Sequence, residues 1–415
     1  MQDRDRRRAV SALYCFAQIL YWSSGFITIG YATAYLGSIG FSEGFIGLIT
    51  AVGGLAGFLA ALGFSVRIDK AGSGLLYRIL GVVLASQLLL IVGLAFSQGD
   101  KTATALLYTV LLSFGHAMNS LFSKLYIDLK MRGIPIDFGF ARGLGSLAYA
   151  GCSFLVGHSL QHYPQFYLHT LTWVLYLLLL IVTVLIGMIN RRLPGEALPR
   201  PEKERSSGRL RMGCFFRSYA AFLVLVIGIS AVSASNRTFS TYLVNLVIEL
   251  GGDVRSFTTI TGFLALIEIP VMLFFSRLRR KHSLSNMLLV SLLLYALKLG
   301  GAAAAHSLPI LFAAITTQTF AAGIFHPASV EFVRENIPLK DTAKCQAILD
   351  GGPVFVSFVT ILCFGNMLER VPARTVCLLL FLLALAGTLI SKLAIKKIGT
   401  VSGKTDKKSN PTILP

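Results

Sequence analysis

Seven side chains able to bind charge or carry a proton sit where such groups are costly. Lys124, Arg142, Arg237, Glu268, Lys298 and Asp350 fall inside long apolar runs, and Asp128 lies at the end of one. An ionisable group there costs roughly 2.5–3.5 kcal/mol on insertion scales unless it is paired or wetted. A cation so placed can hold an anionic group. A carboxylate so placed has its proton affinity raised by desolvation or lowered by a neighbouring cation, which makes it a candidate proton carrier. Lys124, Arg142, Arg237 and Lys298 outnumber Asp128, Glu268 and Asp350. That balance favours a small ligand bearing a carboxylate or phosphate, or a mixed polar metabolite.

Spacing narrows the roles. Lys124 and Asp128 are four apart and share a helical face; they form either a local ion pair or a cavity-lining pair with Arg142 in reach. Arg237 follows Asn236 in a polar stretch and either snorkels outward or lines a cavity with it. Lys298, in LLLYALKLGG, is too deep to snorkel easily and is assigned to a cavity or a buried pair. Glu268 has no other acid within two turns, so any partner must come from another helix, with Arg237 and Lys298 as candidates. It is the first choice for proton coupling, followed by Asp128 and Asp350. Asp350 precedes Gly351-Gly352-Pro353, where a kink is expected; it either caps the lower half-helix or pairs with Lys298. His116 and Asn119, three apart, are candidate cavity residues, and so are Tyr31 and Tyr35, which share a face and could stack on a ring.

Positioning these groups requires membrane helices. Of 415 residues, 54% are hydrophobic and only 14% charged, against about 25% charged in soluble proteins. Twelve apolar runs, each near the ~20 residues that span a bilayer, cover 13–36, 43–65, 75–97, 103–127, 138–160, 167–190, 217–243, 256–276, 284–303, 308–330, 344–366 and 373–394. They are too long and too uniformly apolar for barrel strands. The expected class is therefore all-α, a polytopic membrane protein. The first run is followed at once by a second and has no small-residue cleavage site, so it is taken as a true helix.

Charge sets the expected orientation. Leaving out Lys124, Arg142, Arg237 and Lys298, the loops and helix ends on one side hold only Lys101, Arg255, Arg370 and Arg374; the termini and the other loops, with helix-end residues such as Arg78 and Arg217, hold the remaining basic residues. Positive-inside then places both termini in the cytoplasm. The net charge of +19 is assigned to anionic lipid headgroups, not to nucleic acid. Residues 191–216 are polar, basic and proline-bearing and read as a flexible cytoplasmic linker. They separate a six-helix bundle over 1–190 from another over 217–395, with a disordered tail over 396–415. The six cysteines are scattered singly, so no disulfide, metal site or cofactor is expected.

Twelve spans divided six and six resemble the major facilitator superfamily. That family carries Gly-x-x-x-Asp-Arg/Lys-x-Gly-Arg/Lys after its second span. This chain reads Ser65-Val-Arg-Ile-Asp69-Lys70-Ala-Gly72-Ser73, matching at Asp69, Lys70 and Gly72; the equivalent second-half loop keeps basic charge, including Arg279. The resemblance makes these four residues gating candidates. A finer resemblance is to the lactose permease branch, with its oligosaccharide, nucleoside and phenylpropionate proton symporters. It rests on Asp137-Phe-Gly139-Phe-Ala-Arg142-Gly-Leu-Gly145-Ser146 and on Gly365-Asn366-Met-Leu-Glu369. That branch implies Arg142 in substrate binding, but Lys124 stands where its partner glutamate would be. Ile315-Thr-Thr-Gln318 lacks the branch's histidine and glutamate, leaving Gln318 as a polar candidate.

The resemblance implies a secondary active transporter, not an enzyme, moving a small polar or anionic metabolite by proton symport with alternating access. A monomer in a bacterial inner membrane is expected. A sugar or nucleoside symporter, and a non-transporting sensor or scaffold on the same fold, are the alternatives. No Gly-x-x-x-x-Gly-Lys-Ser/Thr motif supports ATP-driven transport. Tags at Met1 and Pro415 should both be reached by a membrane-impermeant reagent only from the cytoplasmic side; labelling of Pro415 alone from outside would mean an odd number of spans, and labelling of both would mean the opposite orientation.

Overall fold

An uninterrupted apolar segment in hydrocarbon must satisfy its own backbone, and a helix does so within the segment. The structure, a computed structural model, describes residues 2–97, 99–159, 166–191 and 219–406. Regular structure among them is entirely helical. Helix α1 (Gln2–Gly25) leads through a π-helical turn (Phe26–Gly30) into α2 (Ala32–Ser38). Then follow α3 (Glu43–Ala71), α4 (Ser73–Phe96), α5 (Lys101–Met131), α6 (Phe138–Ser159) and α7 (Phe166–Asn190). The later helices are α8 (Ala220–Glu249), α9 (Val254–Arg279), α10 (Leu284–Ala304), α11 (Leu308–Asn336), α12 (Leu339–Leu368) and α13 (Ala373–Asp406).

Ten helices among the described residues are long and apolar enough to cross a membrane. Those at 138–159 and 254–279 are not among the ten; glycine, serine and threonine, with Arg142 and Glu268, dilute their apolar content. Large apolar side chains such as Leu89 and Phe96 lie exposed on the helix surfaces, 74% and 86% accessible, as a lipid-facing surface requires. The protein is a multi-pass membrane protein.

Several expectations change. The first span is not one regular helix: Tyr31 N donates to Phe26 O at 2.8 Å across the π turn, while Thr28 Oγ1 donates back to Ser24 O at 2.9 Å. Glycines at 25 and 30 flank this wider turn. Helix α12 runs unbroken through Gly351-Gly352-Pro353, so Asp350 caps no half-helix. Helix α13 continues past Lys396 to Asp406, a stretch without proline. Most of the expected linker and residues 407–415 lie outside the described residues.

The helices gather into two compact units. The first takes in Met1–Arg205, Thr241–Ile269 and Ile361–Arg370; the second takes in Ser206–Ser240, Pro270–Thr360 and Val371–Pro415. In the first, α1 packs on α6 and α7, α3 on α5, and α4 on α5 and α7. At the start of α3, Gly44 N donates to Glu369 Oε1 at 3.0 Å, and Tyr242 OH donates to Ile361 O at 3.1 Å. In the second, α10 packs on α11 and α13.

Close approach of α3 to α5 depends on glycine. A Cβ at Gly57 would come within 2.6 Å of Ser113 O and 2.7 Å of His116 Cβ, whereas a Cβ at Gly151 would meet nothing within 4 Å. Gly57→Leu should therefore destabilise the detergent-solubilised protein by about 1–3 kcal/mol through overpacking. Gly151→Leu should leave the thermal unfolding midpoint unchanged.

Candidate functional site

Arg142 lies early in α6, where Asp137 caps the helix by accepting from Phe140 N at 3.0 Å. Its guanidinium lies over the Trp22 ring of α1, 3.8 Å from the centroid, and donates to Ser146 Oγ at 2.9 Å. Trp22 is itself held: its Nε1 donates to Gln18 Oε1 at 3.0 Å, and Gln18 Nε2 donates to Tyr14 OH at 2.8 Å. Tyr14, Gln18 and Trp22 recur every four residues and so line one face of α1. Gly145 leaves the space the indole occupies, because a Cβ there would collide with Trp22 Cδ1.

Glu268 on α9 belongs to the same unit and stands in electrostatic reach of Arg142. Both are half-buried. Among the described residues Glu268 forms no ion pair; the cation whose field reaches it is Arg142, while Arg237 and Lys298, the candidates its isolation in sequence left open, belong to the other unit. Arg142 has displaceable company, namely a hydroxyl, a π face and one carboxylate.

Lys124 and Asp128 do not pair with each other. Lys124 forms an ion pair with Asp69 of α3. Asp128 is fully buried and accepts from Ser73 Oγ at 2.6 Å, Tyr77 OH at 3.1 Å, Asn190 Nδ2 at 3.2 Å and Arg132 Nε at 3.4 Å. Shared helical spacing permitted the i,i+4 pair. Packing turned Lys124 to α3 and Asp128 to α4 and α7 instead. Lys70 is exposed, and Gly72 joins α3 to α4 at φ +83°, a conformation glycine favours.

The candidate aromatics and His116 are embedded. Tyr35 stacks on Tyr108 with centroids 5.3 Å apart and its hydroxyl meets His169 Nε2 at 3.2 Å. Tyr31 is buried beside Phe26. His116 lies against Gly57, and Asn119 is exposed.

In the second unit, Lys298 is 1% exposed. Its ammonium donates to Asn236 Oδ1 at 2.5 Å and to Gln318 Oε1, and lies 4.2 Å from the centroid of Phe239. Asp350 accepts from Gln346 Nε2 at 3.0 Å and is in electrostatic reach of Arg237, not paired with Lys298. Arg279 bridges Glu331 at 3.0 Å and Glu335 at 2.7 Å on α11.

The family model described as MFS_1 like family matches residues 13–356. The chain belongs to this major facilitator family. Among curated proteins, none matches it in sequence. Among solved structures, this major facilitator chain resembles a mutant of the nucleoside transporter NupG, with a TM-score of 0.74 and 14% identity over 94% of this chain and 99% of that one. NupG itself gives 0.69 at 14% identity and the same coverage. A POT family transporter in complex with a thioalcohol-conjugated peptide gives 0.67 at 12% identity, covering 94% of this chain and 96% of that one. At these identities the likeness shows the fold. The family and these neighbours are transporters, not enzymes.

Sequence reasoning missed Gln18 near Arg142, and Ser73, Tyr77 and Asn190 around Asp128; it had Trp22 only as an aromatic able to stack on a ring or anchor at the interface, and Ser146 only as part of a motif. A usable signal existed for two of them: Gln18 and Asn190 are amides in otherwise apolar helices, and a buried amide needs partners. For the transporter, the Asp128 cage predicts a separation of effects. Asp128→Ala should lower stability by about 1–3 kcal/mol, since it strands the part-buried Arg132 and three further donors. Asp128→Asn should cost less. Thermal unfolding of both variants checks this; a fully stable Asp128→Ala would contradict it.

Proposed function

We propose that the protein is a secondary active transporter that carries a small polar or anionic organic metabolite with a proton, using Arg142 to bind the anionic or polar group and Glu268 to carry the proton. The supporting observation is that Arg142 and Glu268 belong to one compact unit and lie within electrostatic reach of each other. A guanidinium offers several N–H donors in a rigid fork, and Ser146 takes one of them. A carboxylate or phosphate arriving at the free edge competes with Glu268 for the same positive charge. Once released from Arg142, Glu268 is an unpaired carboxylate in an apolar helix, and protonation is its least costly state. Anion binding and proton uptake then favour each other. That is the linkage symport requires.

Charge asymmetry of the loops supports a cytoplasmic location for both termini, and the basic loops suit a bacterial inner membrane. The Lys124–Asp69 and Arg279–Glu331–Glu335 contacts, each at helix ends within its own unit, suit gating roles. A nucleoside or sugar remains the second ligand class, because the solved neighbours include a nucleoside transporter.

Thermal stabilisation of purified protein against sugars, nucleosides, aromatic acids and phosphorylated metabolites identifies the ligand by mass action. With that ligand in proteoliposomes, wild type should accumulate it uphill under an imposed proton gradient. Glu268→Gln should bind and exchange it but fail to accumulate it. Arg142→Lys should weaken binding at least about tenfold, because an ammonium cannot reproduce the guanidinium fork. Uphill uptake by Glu268→Gln equal to wild type would remove the proton role.

A further inference from the structure

Among the described residues Lys298 is the most buried cation of the second unit, and its surroundings are those of a small cation site. Its 1% exposure leaves it no water to speak of. Among the described residues no carboxylate forms an ion pair with it. Instead its ammonium is met by neutral groups drawn from three residues on two other helices of the unit. The carbonyl oxygens of Asn236 on α8 and Gln318 on α11 accept from it, and the face of Phe239, one turn along from Asn236, lies under the charge at 4.2 Å. Two amide oxygens and a ring quadrupole make up a set of ligands that stabilises a compact monovalent cation by dipoles alone. Cys377 of α13, the other helix packed on α10, also lies in electrostatic reach of the ammonium.

We infer that Asn236, Gln318 and Phe239 form a binding site for a small monovalent cation of the primary-ammonium class, and that in this chain Lys298 fills it permanently with its own tethered ammonium. A fixed internal cation has two consequences. The second unit needs no external sodium or ammonium ion to complete its core. The ammonium is also fully used, so Lys298 is not the group that meets substrate. The inference stands independently of the Arg142–Glu268 reading, since its test needs no transported ligand.

Chemical replacement tests it. Lys298→Ala removes Cγ, Cδ, Cε and Nζ, which is the outline of n-propylammonium. Thermal unfolding of detergent-purified Lys298→Ala is measured with n-propylammonium, methylammonium, sodium and tetramethylammonium chlorides, and with neutral 1-propanol. The expected result is a destabilised variant that recovers at least half of its lost melting temperature in n-propylammonium, saturably, with less recovery in methylammonium. Tetramethylammonium and 1-propanol should give none, and wild type should respond to none of them. Lys298→Ala combined with Asn236→Leu should lose the recovery. Equal recovery in 1-propanol would mean that only volume is being filled, and equal recovery in tetramethylammonium would mean that only ionic strength acts; either overturns the site. If Lys298→Ala yields no protein, Lys298→Ser is expressed and purified with n-propylammonium present. Failure to recover it under those conditions also overturns the inference.

Discussion

A charge buried among apolar helices has to be met by a dipole, a counter-charge or a ring face, because water is not there to meet it. This constraint organises the interior of both units. Asp128 is met by two hydroxyls, an amide and a guanidinium. Lys298 is met by two amide oxygens and a ring. Arg142 is met by a ring, a hydroxyl and the field of one carboxylate. The first two sets answer their charge completely and hold it still. The third leaves part of the guanidinium fork unused, and the proposed ligand-binding role of Arg142 rests on that incompleteness.

Such partnerships demand close helix approach, and small residues allow it. Gly145 admits the indole of Trp22 beside Arg142, while Gly57 brings α3 against Ser113 and His116 of α5. In a membrane the apolar effect does not press helices together, so packing and polar contacts must do so. The same property explains a likeness of fold at 12–14% identity to NupG and to a POT transporter. Lipid-facing positions accept many apolar side chains, so sequence drifts there while helix lengths and packing surfaces persist.

Much of the architecture was legible in the residues. Run length, uniform apolarity and loop charge imply a polytopic helical protein, because each is imposed by bilayer thickness or by lipid charge acting on every such chain. The π turn in the first span was not legible, since it depends on how Thr28 and the flanking glycines settle against α6 and α7. The continuity of α12 through Gly351-Gly352-Pro353 was not legible either. A proline inside a membrane helix removes one bond, to the carbonyl four residues earlier, and need not end the helix; α12 continues through Pro353 to Leu368.

For the candidate site, the sequence alone picked out the costly residues, including Arg142, Glu268, Asp128 and Lys298, because a charge in an apolar run stands out without any knowledge of the fold. It could not assign their partners. Helical spacing placed Lys124 beside Asp128, yet Lys124 reaches Asp69 and Asp128 turns to Ser73, Tyr77 and Asn190. Periodicity specifies which residues share a face of one helix; which helix that face meets depends on the packing of all of them. Only tertiary structure therefore brought Arg142 to Trp22 and Glu268, and gave Lys298 two amides and a ring in place of a carboxylate.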